Sequence, residues 1–206
     1  MKRSKSSRKW LQAHFKDEYV KKAQADGLRS RAAYKLIQLQ QRDKFIKPKM
    51  RVIELGAAPG SWTELLAKWV TEQGKIIAVD KLSINPINNV QFIQGDFTDA
   101  SMQTAIVKSL ESEVADVVLS DMAPNSSGIT SVDQARIMLL NELTLEFALK
   151  HLKKNGFLCM KSFQGEGFES LLKLIQQHFI QTHTRKPQAS KTQSRELYIM
   201  AKGLRN

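Results

Sequence analysis

Cysteine is almost absent from this chain of 206 residues, since Cys159 is the only one and no internal disulfide can form. Proteins without disulfides are typical of reducing compartments. Long apolar runs are absent as well, and none approaches the roughly 20 residues that a membrane-spanning helix requires. The first ten residues, MKRSKSSRKW, lack the apolar stretch of a signal peptide. We therefore expect a cytoplasmic protein without a membrane anchor, in which Cys159 is a small core residue.

Acidic residues are scarce at the two ends of the chain. Residues 1–50 carry 15 Lys and Arg against 4 Asp and Glu, and residues 183–206 carry 6 against 1, whereas residues 51–182 carry 11 against 15. The formal net charge of +12 is thus concentrated in two basic segments around a slightly acidic middle. Basic segments favour a polyanionic partner, because each neutralised phosphate releases counterions. The pattern favours nucleic acid over the main alternative, an anionic membrane surface.

Internal repeats, long linkers of Gly, Pro or Ser, and metal-ligand spacings are also missing. The four histidines show no ligand spacing with one another, so no metal site is predicted. The sequence therefore predicts a single domain over residues 1–206, with a basic amino-terminal extension over residues 1–29. We expect it to be a monomer.

Apolar segments typical of strands alternate with helical patterns along most of the chain. Two helices are predicted near the amino terminus, over residues 7–24 and from Ser30 to just before Pro48. Further on, a helix is expected to run from Ser61 and to end at Gly74. The expected strands are RVIEL, KIIAVD, VQFIQGD, ADVVLSD and GFLCMKSF, followed by TRKP and ELYIMAKG as a closing antiparallel pair. Strands that are apolar at nearly every position and alternate with helices predict an α/β fold, a mostly parallel sheet covered by helices on both faces.

Each of the first five predicted strands ends close to a residue that can take part in chemistry. These residues are Glu54, Asp80, Asp96, Asp121 and Lys161. In open α/β sheets, ligands bind at the carboxyl ends of the strands, so we expect these side chains along one edge. A single acidic residue at a strand end is commonly a helix cap or turn former, whereas a set along one edge indicates a functional site.

The loop after the first strand, ELGAAPG, is poor in side chains. Dinucleotide-binding turns of the GxGxxG type need a glycine where this chain has Ala58, so that the backbone can approach a pyrophosphate. Pro59 also removes an amide donor. NAD is therefore disfavoured, and a ligand that joins an amino acid to a nucleoside without phosphate, such as S-adenosylmethionine, fits better. Asp80 can then accept the ribose hydroxyls and Asp96 the adenine amino group.

Five motifs occur in order along the chain. They are GLRSRAAYKL at residues 27–36, LGAAPGSW at 55–62, SDMAPN at 120–125, MKSFQGEGF at 160–168 and SRELYIMA at 194–201. Together they resemble the FtsJ-type ribosomal RNA 2′-O-methyltransferases over about residues 7–203. The resemblance is greatest to the bacterial enzymes that methylate a uridine ribose in 23S ribosomal RNA. It implies a Rossmann-like, S-adenosylmethionine-dependent methyltransferase whose partner is ribosomal RNA, within the large ribosomal subunit.

The resemblance also implies roles for individual residues. The family's catalytic set falls on Lys35, Asp121, Lys161 and Glu196, and its cofactor contacts fall on Gly60, Trp62, Asp80, Asp96 and Asp121. Lys161 is the candidate base for the ribose proton if burial and a second ammonium lower its pKa, and it stabilises a developing alkoxide if it stays charged. The sequence leaves both roles open.

Simpler interpretations exist for three of these residues. Lys35 lies on a basic helix and could be one more phosphate contact, and Glu196 could pair with Arg195 at the surface. Trp62 could stack near the cofactor or pack as an aromatic residue at the start of a helix.

Two basic walls are expected around the RNA. One wall consists of Arg29, Arg31, Lys35 and the cluster Lys2, Arg3, Lys5, Arg8 and Lys9, and the other of Arg185, Lys186, Lys191 and Arg195. Such contacts position a nucleic acid without reading its sequence. Three alternatives stay open: a transfer RNA 2′-O-methyltransferase, a non-catalytic RNA-binding factor of ribosome assembly, and an oxidoreductase on the same fold.

Overall fold

A mixed sheet of seven strands forms the centre of the computed structural model, which describes residues 17–112, 114–191 and 193–205. The strands are β1 (Arg51–Leu55), β2 (Lys75–Asp80), β3 (Gln91–Gln94), β4 (Ala115–Ser120), β5 (Leu152–Phe163), β6 (Phe179–Arg185) and β7 (Glu196–Leu204). Their order across the sheet is β3-β2-β1-β4-β5-β7-β6. Strands β1 to β5 run parallel, and β7 runs antiparallel to both β5 and β6. The predicted mostly parallel sheet with a closing antiparallel pair is confirmed, but the first strand of that pair begins at Phe179, five residues before the predicted TRKP segment.

Helices cover both faces of this sheet. Those assigned within the described ranges are α1 (Glu18–Ala25), α2 (Ala32–Asp43), α3 (Ser61–Val70), α4 (Ala100–Ser109), α5 (Thr130–His151) and α6 (Phe168–His178). Successive strand side chains point to opposite faces, so Val52 packs with α2 and α3, whereas Ile53 packs with α4, α5 and α6. Cys159 is fully buried on the face of the sheet that α2 and α3 cover. Among the described residues, none of the helices is both long enough and apolar enough to span a membrane.

The antiparallel strand β7 brings two distant segments of the chain together. Phe163 at the end of β5 pairs with Glu196 at the start of β7, and Lys161 pairs with Tyr198. The carboxyl ends of β1 to β5 and the amino end of β7 therefore lie along one edge of the sheet, which we name the carboxyl edge. Every strand-end residue singled out in the sequence lies on it or next to it.

The ends of the first helices compare with their predictions in different ways. One helix ends earlier than predicted, and the predicted start of another lies outside the described ranges. Helix α3 ends at Val70, four residues before Gly74, because Thr71 leaves the helical conformation with a φ of +65° and the Val70 carbonyl accepts a hydrogen bond from the Lys49 amide at 2.7 Å. Helix α1 begins at Glu18, where the Asp17 carboxylate accepts from the Tyr19 amide. The predicted helix over residues 7–24 lies outside the described residues up to position 16. Helix α2 begins close to its predicted cap, since Ser30 Oγ accepts from the Ala32 amide at 3.1 Å.

Candidate active site

Lys161 lies near the end of β5, in a sheet interior where a charged side chain requires a partner. Its side chain is 8% exposed and its Nζ atom lies 3.1 Å from Oδ1 of Asp121, the residue that follows β4. Lys161 also donates to the main-chain carbonyl of Asp121. Because β4 and β5 are neighbours in the sheet, Lys161 can contact both the side chain and the main chain of Asp121.

A second ion pair joins the amino-terminal helix α2 to strand β7. Lys35 Nζ lies 2.6 Å from Oε1 of Glu196, and the two side chains are 14% and 11% exposed. Ser190 donates to the same carboxylate oxygen at 2.9 Å. Glu196 is therefore bound to Lys35 and Ser190, and the simpler interpretation, a surface partner for Arg195, is wrong. The position of Ser190 could not be deduced from the sequence, because the residue lies in the loop between β6 and β7.

The two ion pairs share one face of the sheet. Lys161 is opposite Tyr198 on the antiparallel partner strand, and Glu196 lies two residues from Tyr198, so all three side chains point to the face covered by α2 and α3. Tyr198 is fully buried and donates its hydroxyl hydrogen to Asp121 Oδ1 at 2.8 Å. Burial, with the nearby charges of Asp121 and Glu196, raises the pKa of Tyr198 well above its usual value, so the phenol remains a donor. Tyr198 was not among the predicted site residues, although its spacing of two residues from Glu196 on a strand places both side chains on one face.

The loop between β1 and α3 has small side chains, and at Gly56 the backbone of the segment after β4 lies against it. Gly56 has a φ of +80°, and a methyl group on it would meet the Met122 amide nitrogen at 2.7 Å. Gly60 has a φ of +95° and precedes the first turn of α3. A side chain at Gly56 would displace the segment that carries Asp121.

Asp80 holds this loop from the end of β2. Its Oδ2 atom accepts from the Ala58 amide at 2.9 Å, and its Oδ1 atom accepts from the Leu82 amide at 2.8 Å. The carboxylate thereby links the glycine-containing loop to the segment that follows β2. Each oxygen keeps lone-pair capacity for a further donor, such as a ribose hydroxyl.

Asp96 lies two residues beyond β3 and carries its charge in a polar setting. Its Oδ2 atom lies 2.6 Å from the Lys81 ammonium, and its Oδ1 atom accepts from the Thr98 amide at 3.0 Å. Burial raises the pKa of Asp96, but the hydrogen bonds from Lys81 and Thr98 outweigh burial, so the pKa lies below its usual range. An ionised acceptor is suited to an amino group.

Glu54 is the most deeply buried carboxyl group at the carboxyl edge, with 1% exposure. Its Oε2 atom accepts from Thr63 Oγ1 at 2.7 Å, whereas Oε1 has no hydrogen-bond partner within the described residues. Burial raises its pKa to about 8, and the charges of Asp121 and Asp80 act in the same direction. An unpartnered carboxyl oxygen beside the glycine-containing loop fits a ligand with an ammonium group, as S-adenosylmethionine has. No group of three His, Cys, Asp or Glu side chains in the described ranges is arranged to hold a metal ion.

Trp62 was predicted to contact the cofactor or to pack at the start of a helix, and its side chain is packed in the protein interior. It is 2% exposed, its indole nitrogen donates to the Ala32 carbonyl at 2.8 Å, and its ring lies against Tyr198. The geometry supports the packing interpretation, and a contact of Trp62 with a cofactor would come from its backbone.

Several residues of the two predicted RNA walls are bound to other parts of the protein. Arg29 is paired with Glu64, Arg31 with Asp17, and Arg185 in two-point fashion with Asp43 at 2.9 and 3.0 Å. Lys186 donates to the Ser194 carbonyl. Lys191 and Arg195 are exposed, and the predicted cluster from Lys2 to Lys9 lies outside the described residues.

Known proteins resemble this chain in sequence and in structure. The model of the FtsJ-like methyltransferase family matches residues 28–204. Over 205 residues, the chain is 51% identical to the ribosomal RNA large subunit methyltransferase E of Hahella chejuensis and 47% identical to that of Chromobacterium violaceum, with both chains covered completely in each case.

Solved structures agree with the sequence matches. A candidate ribosomal RNA methyltransferase from Plasmodium falciparum superposes with a TM-score of 0.75 at 29% identity, covering 85% of this chain and 98% of the other. The fibrillarin of Aeropyrum pernix, solved with S-adenosyl-L-methionine, shares the fold at 16% identity, with a TM-score of 0.58 and coverage of 84% and 74%. The chain belongs to the FtsJ-like methyltransferase family, which confirms the predicted family and fold and makes it an S-adenosylmethionine-dependent methyltransferase.

Proposed function

We propose that this protein transfers a methyl group from S-adenosylmethionine to the 2′-hydroxyl of a uridine ribose in 23S ribosomal RNA. The observation that carries the proposal is the arrangement of two ion pairs, Lys161–Asp121 and Lys35–Glu196, on one face of the sheet beside the glycine-containing loop. Full-length relatives named ribosomal RNA large subunit methyltransferase E support large-subunit RNA as the substrate.

Lys161 is the group proposed to handle the proton of the ribose hydroxyl. S-adenosylmethionine supplies an electrophilic methyl group on a sulfonium, and the hydroxyl must lose its proton as its oxygen takes that methyl. Lys161 Nζ donates one hydrogen bond to the Asp121 main-chain carbonyl and forms an ion pair with Asp121 Oδ1, which leaves a third position on the nitrogen for the ribose. The hydroxyl proton is proposed to pass to Lys161 at that position, and Asp121 then stabilises the ammonium that results.

Lys35 and Glu196 are proposed to orient the ribose. The ammonium of Lys35 is fixed by Glu196, and Glu196 is held in turn by Ser190, so their positions are set before the substrate arrives. A donor and an acceptor with defined positions can bind the two neighbouring hydroxyl oxygens of a ribose and limit its rotation.

The cofactor contacts are proposed for Gly60, Trp62, Asp80, Asp96 and Asp121. Asp80 and Asp96 offer carboxylate oxygens to the ribose hydroxyls and the adenine amino group, and Glu54 offers its unpartnered oxygen to the ammonium of the methionine part. Gly60 and Trp62 lie at the start of α3, where the helix dipole favours a carboxylate, and the Gly60 amide itself donates to the Ala57 carbonyl at 2.6 Å.

The wider setting of the enzyme is also a proposal. We propose a monomeric, cytoplasmic enzyme with a single domain over residues 1–206 and an amino-terminal extension, residues 1–29, that contacts RNA. The formal charges of residues 1–50 and 183–206 support binding to RNA. The relatives named ribosomal RNA large subunit methyltransferase E favour a substrate presented within the large ribosomal subunit, which supplies shape as well as sequence.

A methylation assay with matched substrates tests the function. Large subunits and transfer RNA from a strain that lacks the gene are incubated with the protein and labelled S-adenosylmethionine, and mass spectrometry maps the modified ribose. We expect a single 2′-O-methyluridine in 23S ribosomal RNA. Methylation of transfer RNA alone would establish the transfer RNA alternative. If Lys161→Ala restores ribosome assembly fully in the deletion strain, the non-catalytic alternative is correct.

A further inference from the structure

Residues 29–32, which lead into the helix of Lys35 and include its first residue, contact the first turn of α3 at three points. Arg29 Nε lies 2.6 Å from Oε1 of Glu64, Ser30 Oγ lies 2.7 Å from Ser61 Oγ, and the Ala32 carbonyl accepts from the Trp62 indole. We name this set of contacts the α2–α3 seam. The helix that carries a proposed catalytic lysine is thereby fixed to the loop proposed to hold the cofactor.

Arg29 reaches further than the other members of the seam. Its Nη1 atom donates to the Pro59 carbonyl at 3.0 Å and to the Asn85 carbonyl at 3.4 Å. Pro59 belongs to the glycine-containing loop and Asn85 to the segment between β2 and β3, which Asp80 also contacts. One guanidinium therefore joins α3 to both of these segments.

The guanidinium also limits the space around Gly60. A methyl group at Gly60 would meet Arg29 Nη1 at 2.8 Å. Beside this contact is a cavity of about 550 Å³ lined by Arg29, Pro59, Glu64 and residues 83–85. With 20% of its side chain exposed and its donors directed into the protein, Arg29 is bound to the protein and does not form the free cation that the RNA-wall prediction required.

We propose that Arg29 is a positioning residue for the cofactor, which sets the spacing between the glycine-containing loop and the segment after β2. The inference depends on the proposed use of S-adenosylmethionine at this site. The planar fork of arginine supplies donors in two directions at once, to Glu64 and to the two carbonyls. A lysine at position 29 keeps the charge but has no such fork, so it can maintain only part of the arrangement.

Two substitutions separate positioning from phosphate binding. Arg29→Lys retains the positive charge, and Arg29→Gln removes it. If Arg29 positions the cofactor loop, both variants bind S-adenosylmethionine about tenfold more weakly in isothermal titration calorimetry, since both lose charge-assisted hydrogen bonds. Their affinity for 23S ribosomal RNA and its salt dependence stay at the wild-type value. Glu64→Gln, which leaves Arg29 in place, weakens cofactor binding in the same direction.

The matched control is Arg42→Gln, because Arg42 is exposed in the last turn of α2, the helix that follows Arg29. It is expected to change cofactor affinity by less than about twofold. The inference is overturned if Arg29→Lys binds the cofactor as tightly as the wild type, or if Arg29→Gln alone lowers RNA affinity and reduces the salt slope by about one. Cofactor binding is measured without turnover, so a wild-type protein that fails to bind S-adenosylmethionine contradicts the proposed function, whereas normal binding in both Arg29 variants contradicts only the inference.

Discussion

The two halves of the carboxyl edge are built in different ways. On the side of β1, β2 and β3, the carboxylate of Asp80 accepts hydrogen bonds from the backbone amides of Ala58 and Leu82, which lie 22 and 2 residues away in sequence. On the side of β4, β5 and β7, Lys161 pairs with Asp121 and Lys35 with Glu196, so side chains far apart in sequence neutralise one another. In the first half, Asp80 and Asp96 accept hydrogen bonds from backbone amides, and Asp96 also pairs with the exposed Lys81. In the second half, both ion pairs are largely buried.

This difference fits the two tasks that we propose. Binding a nucleoside requires fixed acceptors, which backbone contacts position at little entropic cost. Moving a proton requires groups whose charge can change, and a partner of opposite charge stabilises each state. Variants in the second half are therefore expected to lower kcat, and variants in the first half to weaken cofactor binding.

Lys161→Ala is expected to have the largest effect. Without the amine, the ribose hydroxyl has no proton acceptor, and kcat should fall by at least about 10³-fold, while binding of RNA and cofactor is retained. Single-turnover methylation of large subunits measures the rate, and Lys150→Ala on the exposed face of α5 is the control. A rate within about tenfold of the wild type would show that Lys161 does not take the proton.

The Lys35–Glu196 pair is expected to act as a unit. Lys35→Met and Glu196→Gln should each lower kcat by about 10²-fold, and the double variant should be no worse than the poorer single variant. The measurement is a double-mutant cycle on kcat. Additive losses would mean that the two residues act independently, despite the 2.6 Å contact between them.

Glu54→Gln tests whether Glu54, at the end of β1 between the two halves, keeps its proton in the folded protein. The quantity measured is the pH dependence of protein stability. In the unfolded chain Glu54 loses its proton near its usual pKa of 4.5, whereas the folded protein retains that proton up to about pH 8. Stability therefore falls as pH rises through this window, by about 2 kcal/mol between about pH 5 and 7. The variant lacks this slope, as measured by urea unfolding at several pH values without cofactor.

The slope, and not the absolute stability, decides this test, because the amide also changes the hydrogen bonding around Thr63. Glu142→Gln, at an exposed position on α5, should keep the wild-type slope. Equal slopes in the Glu54 variant and the wild type would show that Glu54 is ionised in the folded protein.

Asp80→Asn is expected to have the smallest effect of the four. The amide keeps one acceptor oxygen and can serve only one of the two segments that Asp80 contacts, so the Kd for S-adenosylmethionine should rise about tenfold, with kcat and RNA affinity unchanged. Calorimetry and saturation kinetics measure this split. Asp99→Asn, exposed before α4, is the control, and a loss of kcat at saturating cofactor would remove the distinction between the two halves.

The sequence predicted the first half of the edge better than the second. Asp80 and Asp96 each follow or end a strand in a regular α/β alternation, so the topology alone brought them together. Lys35 precedes the sheet, and Glu196 begins an antiparallel strand, so the resemblance to a family, and not the strand-end argument, singled them out. Their pairing depends on the insertion of β7 between β5 and β6, which local sequence does not determine.

The basic segments were the least predictable part of the site. Arg29, Arg31 and Arg185 belong to basic stretches, but each binds a carboxylate elsewhere in the fold. Composition gives the number of cations and not their partners, which only tertiary contacts reveal. The helix prediction over residues 61–73 was wrong at its end for a similar reason, since the Lys49 amide takes the Val70 carbonyl.

The close contact at Gly56 has a consequence for protein engineering. Since the smallest added side chain would meet the Met122 backbone, variation at this position changes the placement of Asp121 before it can change the choice of methyl donor. Libraries designed to accept enlarged sulfonium analogues should leave this glycine unchanged and randomise the segment after β2, where side chains such as Leu82 extend into open solvent.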